Sequence, residues 1–179
     1  MSEKKTINTI TPLFSVEVIE KRISEIGKAI SDDFDMVTQD CPLLLIVVLK
    51  GAFIFAADLL RTITIPCGID FIHASSYGSE KTSSGSVSIK HNLSITDRHI
   101  LLVEDIIDTG KTLSTFLPQL TRQQPASIKI ATFLTKPTAL KYDVKADYTA
   151  FEIEDKFVVG YGLDYDGLGR NLPDLYILK

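Results

Sequence analysis

The sequence predicts an α/β fold: a doubly wound, mainly parallel twisted sheet with helices on both faces. Three observations carry this reading. Continuous apolar runs such as Leu43–Leu49 and Ile100–Val103 have the pattern of strands buried on both faces. Segments with apolar residues at steps of three and four alternate with them, and strands alternating with helices make parallel sheets. Loops of suspicious composition, at 50–51, 75–92, 104–112 and 135–137, each follow a strand candidate. In such a sheet that places them all at the carboxyl edge, where ligands bind.

The elements follow in order. Ser15 stands where a helix cap belongs, and Val16, Ile19, Ile23, Ile26 and Ile30 then recur on one face, with Glu17 favourably placed in the first turn. Pro42 introduces the strand Leu43–Leu49, and Lys50-Gly51 breaks it. Phe53 to Leu60 reads as a helix ending near Arg61, and Ile69 to Ala74 as a short strand. Residues 75–92 are rich in Ser, Thr and Gly and carry no periodicity. After the strand Ile100–Val103 comes a helix turning Leu113, Phe116, Leu117 and Leu120 inward. Pro118 lies inside that pattern, which predicts a short or kinked helix. Ser127 to Leu134 alternates and is rich in β-branched residues, hence a strand. Tyr148 to Ile153 and Phe157 to Val159 are further strand candidates.

At 179 residues one domain, spanning 1–179, is the expectation, and 45% hydrophobic content is enough to fill its core. A net charge of −4 and an isoelectric point near 5.4 argue against a nucleic-acid binder held by a basic surface. Cys41 and Cys67 form no Cys-x-x-Cys motif and read as reduced thiols. The opening Met-Ser-Glu-Lys-Lys-Thr-Ile has no apolar core of signal-peptide length, and Leu43–Leu49 is too short to cross a bilayer. The expectation is a soluble, cytoplasmic protein. His73, His91 and His99 share no ligand spacing and receive no chemistry.

Residues 100–113 carry most of the functional information. A buried strand runs into the acidic pair Glu104-Asp105, and Asp108-Thr109-Gly110-Lys111-Thr112 then opens a helix. Amides and hydroxyls at a helix N-terminus hold a phosphate. Carboxylates beside them hold sugar hydroxyls, or a Mg²⁺ that accompanies phosphates. A ribose phosphate needs both. Neighbouring strand residues face opposite ways, so both carboxylates reach one ligand only if the strand ends at them. The turn at Asp108 predicts that it does. The bland reading of a lone acidic pair is solvated charge. Gly110-Lys111-Thr112 also ends a Walker A motif, but that motif needs glycine where Asp105 stands. Asp108-Thr109-Gly110 is the triplet of aspartic proteases too, yet those are all-β and this chain alternates.

The stretch Val103-Glu104-Asp105-Ile106-Ile107-Asp108-Thr109-Gly110 resembles the phosphoribosyl-diphosphate signature of the type I phosphoribosyltransferases, in the form carried by the 6-oxopurine branch. Leu49-Lys50-Gly51 resembles that family's first loop, whose backbone holds pyrophosphate, often with a non-proline cis peptide. Ala52 stands where a glycine often follows. Ser76-Tyr77-Gly78 resembles the flexible second loop, which makes 75–92 a lid over the site where the bland reading sees a surface loop. Lys136, otherwise a surface lysine, matches the donor to the 6-oxo group of the base. Phe157, otherwise packing, matches the ring stacked on the purine, with the Val158 backbone reading the base edge. Asp164 matches a ligand of a second Mg²⁺ that accompanies pyrophosphate, and Arg170 a contact to the pyrophosphate itself. The five motifs occur in the family's order between about residue 43 and residue 173.

What the resemblance implies is a purine-salvage transferase. It would convert hypoxanthine, and guanine with it, and 5-phosphoribosyl 1-diphosphate to IMP or GMP and pyrophosphate. Mg²⁺ would be held by Glu104, Asp105 and Asp164. The diphosphate substrate would meet Lys50, Gly51, Glu104, Asp105, Asp108, Thr109, Gly110, Lys111, Thr112 and Arg170, and the purine Lys136, Phe157, Val158 and Asp164. Asp108 would act as general acid/base at the purine N7. A small hood from residues 1–15 and 150–179 and a homodimer or homotetramer are also implied. Two alternatives stand beside it: a regulatory nucleic-acid-binding protein on the same fold, or the same enzyme class acting mainly on xanthine. The first lacks a basic face or a further domain in this chain. Adenine is disfavoured because its amino group would face Lys136 donor to donor.

Overall fold

The computed structural model describes residues 10–38, 41–73 and 94–179. Strand β1 (Ile10–Phe14) leads into helix α1 (Val16–Phe34). Then come β2 (Leu43–Leu49), helix α2 (Phe53–Thr62) and β3 (Cys67–His73). After residues 74–93 follow β4 (His99–Ile107), helix α3 (Lys111–Thr121) and β5 (Ser127–Thr135). Strands β6 (Tyr148–Glu152), β7 (Val158–Val159) and β8 (Leu175–Leu178) complete the chain.

The core sheet has the order β3-β2-β4-β5-β6, with every neighbouring pair parallel. The unbroken apolar run of β2 is explained by its two covered faces. Leu43, Leu45 and Val47 pack against Ile19, Ile23, Ile26 and Ile30 of α1 and Phe55 and Leu59 of α2. Leu44, Ile46 and Val48 meet Leu113, Phe116 and Leu120 of α3 on the other side. Each such side chain taken from water contributes roughly 1.5–3 kcal/mol. The doubly wound reading is borne out. Among the described residues no helix is long and apolar enough to cross a membrane.

The chain ends build a second, antiparallel sheet in the order β1-β8-β7. The stacked rings of Phe14 and Phe151, with centroids 4.1 Å apart, hold it against β6. Neither β1 nor β8 was expected as a strand. Both are short, and β1 carries Pro12, which an edge strand tolerates because it leaves no ladder amide unpaired.

Three local expectations need correction. Ser15 has the extended backbone of a cap, but it makes no side-chain bond to the helix backbone. The Val16 N–H goes instead to the Asp174 carboxylate (2.8 Å), so the cap is supplied from just before β8. β3 begins at Cys67, two residues before the expected start, in register with Leu43. β4 does not end at the acidic pair but runs on to Ile107, because pairing with β5 continues to Ile107↔Thr135. Helix α3 passes through Pro118 and ends three residues later, in keeping with a short helix.

Candidate active site

Strand order reverses between β2 and β4, so the loops that follow them lie side by side at the carboxyl edge, the switch point where open α/β sheets bind ligands. The packing there leaves no room for side chains. A Cβ on Gly51 would stand 1.4 Å from Asp105 Oδ2, and one on Gly162 would stand 2.4 Å from the Gly51 carbonyl oxygen. The first loop, the acidic pair and the segment around Gly162 are therefore in direct contact. The Leu49–Lys50 peptide is cis, and the Lys50 side chain is exposed.

Glu104 is 6% exposed and Asp105 half-buried. The β4–β5 ladder pairs Glu104 with Thr132 and Ile106 with Leu134 but skips Asp105, whose carboxylate takes the Ile106 N–H at 2.8 Å. The two carboxyl groups, neighbours on the strand, are close enough to act on each other electrostatically. Burial pushes Glu104 well above the ordinary carboxyl range, and the Asp105 charge adds to it. Burial also raises Asp105, against the opposing pull of the Glu104 side chain, its backbone bonds and the Arg170 charge. Glu104 Oε2 is buried and has no partner in the protein.

Beyond β4 the chain turns at Asp108 to Gly110. Gly110 caps α3 at φ +83°, and a Cβ there would meet Val144 Cγ2 at 2.5 Å, so glycine is required twice over. The Lys141 and Tyr142 N–H groups both donate to the Thr109 carbonyl (3.0 and 3.2 Å) and hold the turn from outside. Glu104 to Leu113 line a cavity of about 210 Å³. First-turn amides of a helix have no intrahelical acceptor, and the helix dipole favours an anion beside them. A larger cavity of about 240 Å³, between β1 and the end of β6, is floored by Leu13, Phe14, Ile153 and Val158 and lacks these groups.

Lys136 follows β5 and is 6% exposed, so it is not the surface lysine that the residue alone predicts. Its N–H donates to the Ile107 carbonyl (2.9 Å), which ties it to the end of β4. Its ammonium lies 3.5 Å from Asp108 Oδ2 and donates to Asp155 Oδ1 at 3.2 Å. Phe157 is 52% exposed, and Tyr165 meets its ring edge-on at 5.5 Å.

A cradle for an anion, a buried carboxyl pair and an ammonium beside a carboxylate thus lie together at the carboxyl edge of the sheet. The sequence matches the phosphoribosyl transferase domain family over residues 15–166. The chain belongs to this phosphoribosyltransferase family. It is 48% identical over 170 residues to a hypoxanthine-guanine phosphoribosyltransferase of Bacillus subtilis (strain 168), covering 93% of this chain and 92% of that one. A lysine-to-arginine variant of the Trypanosoma cruzi hypoxanthine phosphoribosyltransferase, in a ternary complex with substrates, superposes with TM-score 0.88 at 40% identity, covering 94% of each chain. A second structure of that enzyme concerns the role of its C-terminal region in oligomeric state and activity; it has TM-score 0.87 and 40% identity and covers 100% of this chain and 95% of its own.

In this phosphoribosyltransferase Arg170 and Asp164 meet each other within one loop. Arg170 Nη2 lies 2.5 Å from Asp164 Oδ1, and Nη1 donates to the Gly162 carbonyl at 2.6 Å. Asp164 Oδ2 takes the Gly167 N–H (2.7 Å), so both its oxygens are engaged within its own loop. Asp164 thus stands apart from the Glu104-Asp105 pair, as two separate Mg²⁺ positions would require, and no group of three or more His, Cys, Asp or Glu suited to a metal occurs among the described residues. The Glu104-Asp105 pair, with its unpartnered buried oxygen, still fits a hard cation whose other ligands come from substrate and water, the manner in which Mg²⁺ accompanies phosphates. Ser76, Tyr77 and the whole expected lid, 75–92, lie outside the described residues. Sequence reasoning missed Asp155 and Tyr165. Asp155 lies two residues before Phe157, in the turn that leaves β6, and nothing in the sequence marks the lysine it meets.

Proposed function

We propose that the chain transfers the phosphoribosyl group of 5-phosphoribosyl 1-diphosphate to a 6-oxopurine, hypoxanthine and guanine first, and releases pyrophosphate. The observation that carries this is Lys136 Nζ at 3.5 Å from Asp108 Oδ2, Asp108 being one of the residues that line the 104–113 cavity. A 6-oxopurine presents its O6 acceptor and its N7–H donor side by side on one edge. An adjacent ammonium and carboxylate complement that edge. Adenine sets an amino group against Lys136, and a site built to bond one polar group rejects the wrong one strongly.

The first-turn amides of α3 and the hydroxyls of Thr109 and Thr112, beside Lys111, receive the 5′-phosphate. The backbone of Lys50 and Gly51 and the fork of Arg170 receive the diphosphate. Glu104 and Asp105 take the ribose hydroxyls, directly or through Mg²⁺. When bound there, Mg²⁺ supplies charge neutralisation for the departing diphosphate. The C1′–O bond breaks as the N9–C1′ bond forms, and the N7 proton passes to the Asp108 carboxylate. Phe157 covers the base while the backbone near Val158 and Asp164 reads its other edge, which fixes the attack geometry. The lid role of Ser76 and Tyr77 rests on the resemblance alone.

A cytoplasmic setting fits the two free cysteines. A homo-oligomer fits the exposed apolar residues Phe53, Ile69 and Phe71 at the start of α2 and along the edge strand β3. The test is a spectrophotometric assay with 5-phosphoribosyl 1-diphosphate, Mg²⁺ and each of hypoxanthine, guanine, xanthine and adenine. Nucleotide formation with hypoxanthine and guanine, and none with adenine, is expected. Silence with all four bases while the diphosphate still binds would sink the reading and favour a regulatory role for the fold.

A further inference from the structure

We infer that Asp155 is a positioning residue for Lys136. It aims the ammonium at the 6-oxo group and supplies its counter-charge while Asp108 carries the purine proton. The inference rests on the function proposed above and adds a residue that neither the motifs nor their spacing point to.

The geometry is local and specific. β6 ends at Glu152, and Ile153 extends its pairing by one bond to the Thr135 carbonyl (2.9 Å). The chain then turns tightly, with the Lys156 N–H on the Glu154 carbonyl at 2.7 Å. The side chains of Glu154 and Lys156 pair with each other at 2.6 Å, across the residue between them. That leaves Asp155 at the tip, and its Oδ1 accepts from Lys136 Nζ at 3.2 Å. The same turn places Phe157 two residues on. One short segment thus sets both the donor to the base edge and the ring proposed to cover the base plane.

Charge bookkeeping gives Asp155 a purpose that Asp108 cannot fill. The Lys136 side chain is only 8% exposed, and a buried ammonium needs a compensating carboxylate. Asp108 and Asp155 are the two carboxylates in ion-pair range of it among the described residues. Asp108 loses its negative charge when it takes the N7 proton. At that stage Asp155 alone balances Lys136, and the ammonium remains a full hydrogen-bond donor to O6. An ammonium with three protons can serve both Asp155 and the base at once.

The test compares Asp155→Asn and Asp155→Glu with the parent enzyme and with Lys136→Ala. The measured quantities are kcat and KM for hypoxanthine, KM for 5-phosphoribosyl 1-diphosphate, and Tm. Asp155→Asn is expected to lower kcat/KM for hypoxanthine about tenfold, as for loss of one charge-assisted, partly solvated bond. KM for the diphosphate and Tm should not move, and Asp155→Glu should restore most of the loss. A merely structural residue would shift Tm or both substrates together. Parent-like kinetics in Asp155→Asn, with Lys136→Ala strongly impaired, would overturn the inference and leave the functional reading standing. An inactive parent enzyme would overturn both.

Discussion

Glu104 is where function and stability pull apart. Its carboxyl is held above the ordinary value of 4.5 by burial and by Asp105, so the folded state prefers it protonated. Below about 4.5 both folded and unfolded chains carry the proton and no penalty arises. As pH rises above that value the unfolded chain ionises first, and the metal-free fold loses stability until the folded group also ionises. Glu104→Gln removes this titration. Its Tm in the absence of metal and substrate should exceed the parent's near neutral pH. The gain should vanish in acid, and calorimetry at a series of pH values would show it. A difference that stays constant across pH would contradict an origin in the Glu104 carboxyl. Asp108 has the complementary test. Asp108→Asn keeps shape and removes the proton acceptor, so kcat should fall by about 10²–10⁴ while KM for the diphosphate changes little. Near-parent turnover at saturation would remove its acid/base role. At this scale the sequence was legible where a residue sits inside a recognisable motif, as Asp108, Lys136 and Arg170 do. Asp155 was not, because an acidic residue in a turn carries no mark of the lysine it meets nineteen positions away.

Among the elements, those with internal periodicity were readable. The helical step in Ile19, Ile23, Ile26 and Ile30 and the unbroken run of β2 each report faces that are in fact covered. The end of β4 was misplaced because two adjacent acids look like an exit to solvent. Pairing with β5 carries the backbone past them as far as Ile107. β1 and β8 have too few residues for a pattern, and their pairing joins opposite ends of the chain. The contact between loops was equally hidden, since it depends on side chains that are absent. Gly51→Ala tests it. A methyl group 1.4 Å from Asp105 Oδ2 must displace the acidic pair or the first loop. We expect a loss of about 1–3 kcal/mol in stability, the usual range for overpacking, and a larger rise in KM for the diphosphate than for the base. Unchanged KM for the diphosphate would show that this contact does not shape the site.

For the whole molecule, the parallel order β3-β2-β4-β5-β6 brings chemistry from the ends of β2, β4 and β5 to one edge, while the chain termini build the small sheet that carries Phe157 beside them. That division was visible only through family resemblance, because composition and charge spoke to class alone. The β3 edge also exposes Ile69 and Phe71. Phe71→Lys should convert the expected dimer or tetramer to monomer in sedimentation velocity; an unchanged assembly would place the interface elsewhere. The central claim is that one cleft moves a phosphoribosyl group to a purine and keeps water out of the exchange. Its most direct measurement is stoichiometry, with nucleotide and pyrophosphate quantified together from hypoxanthine and 5-phosphoribosyl 1-diphosphate. Equal amounts of the two products are predicted. Pyrophosphate without matching nucleotide would mean that water, not the base held by Lys136 and Asp108, captures the ribosyl centre.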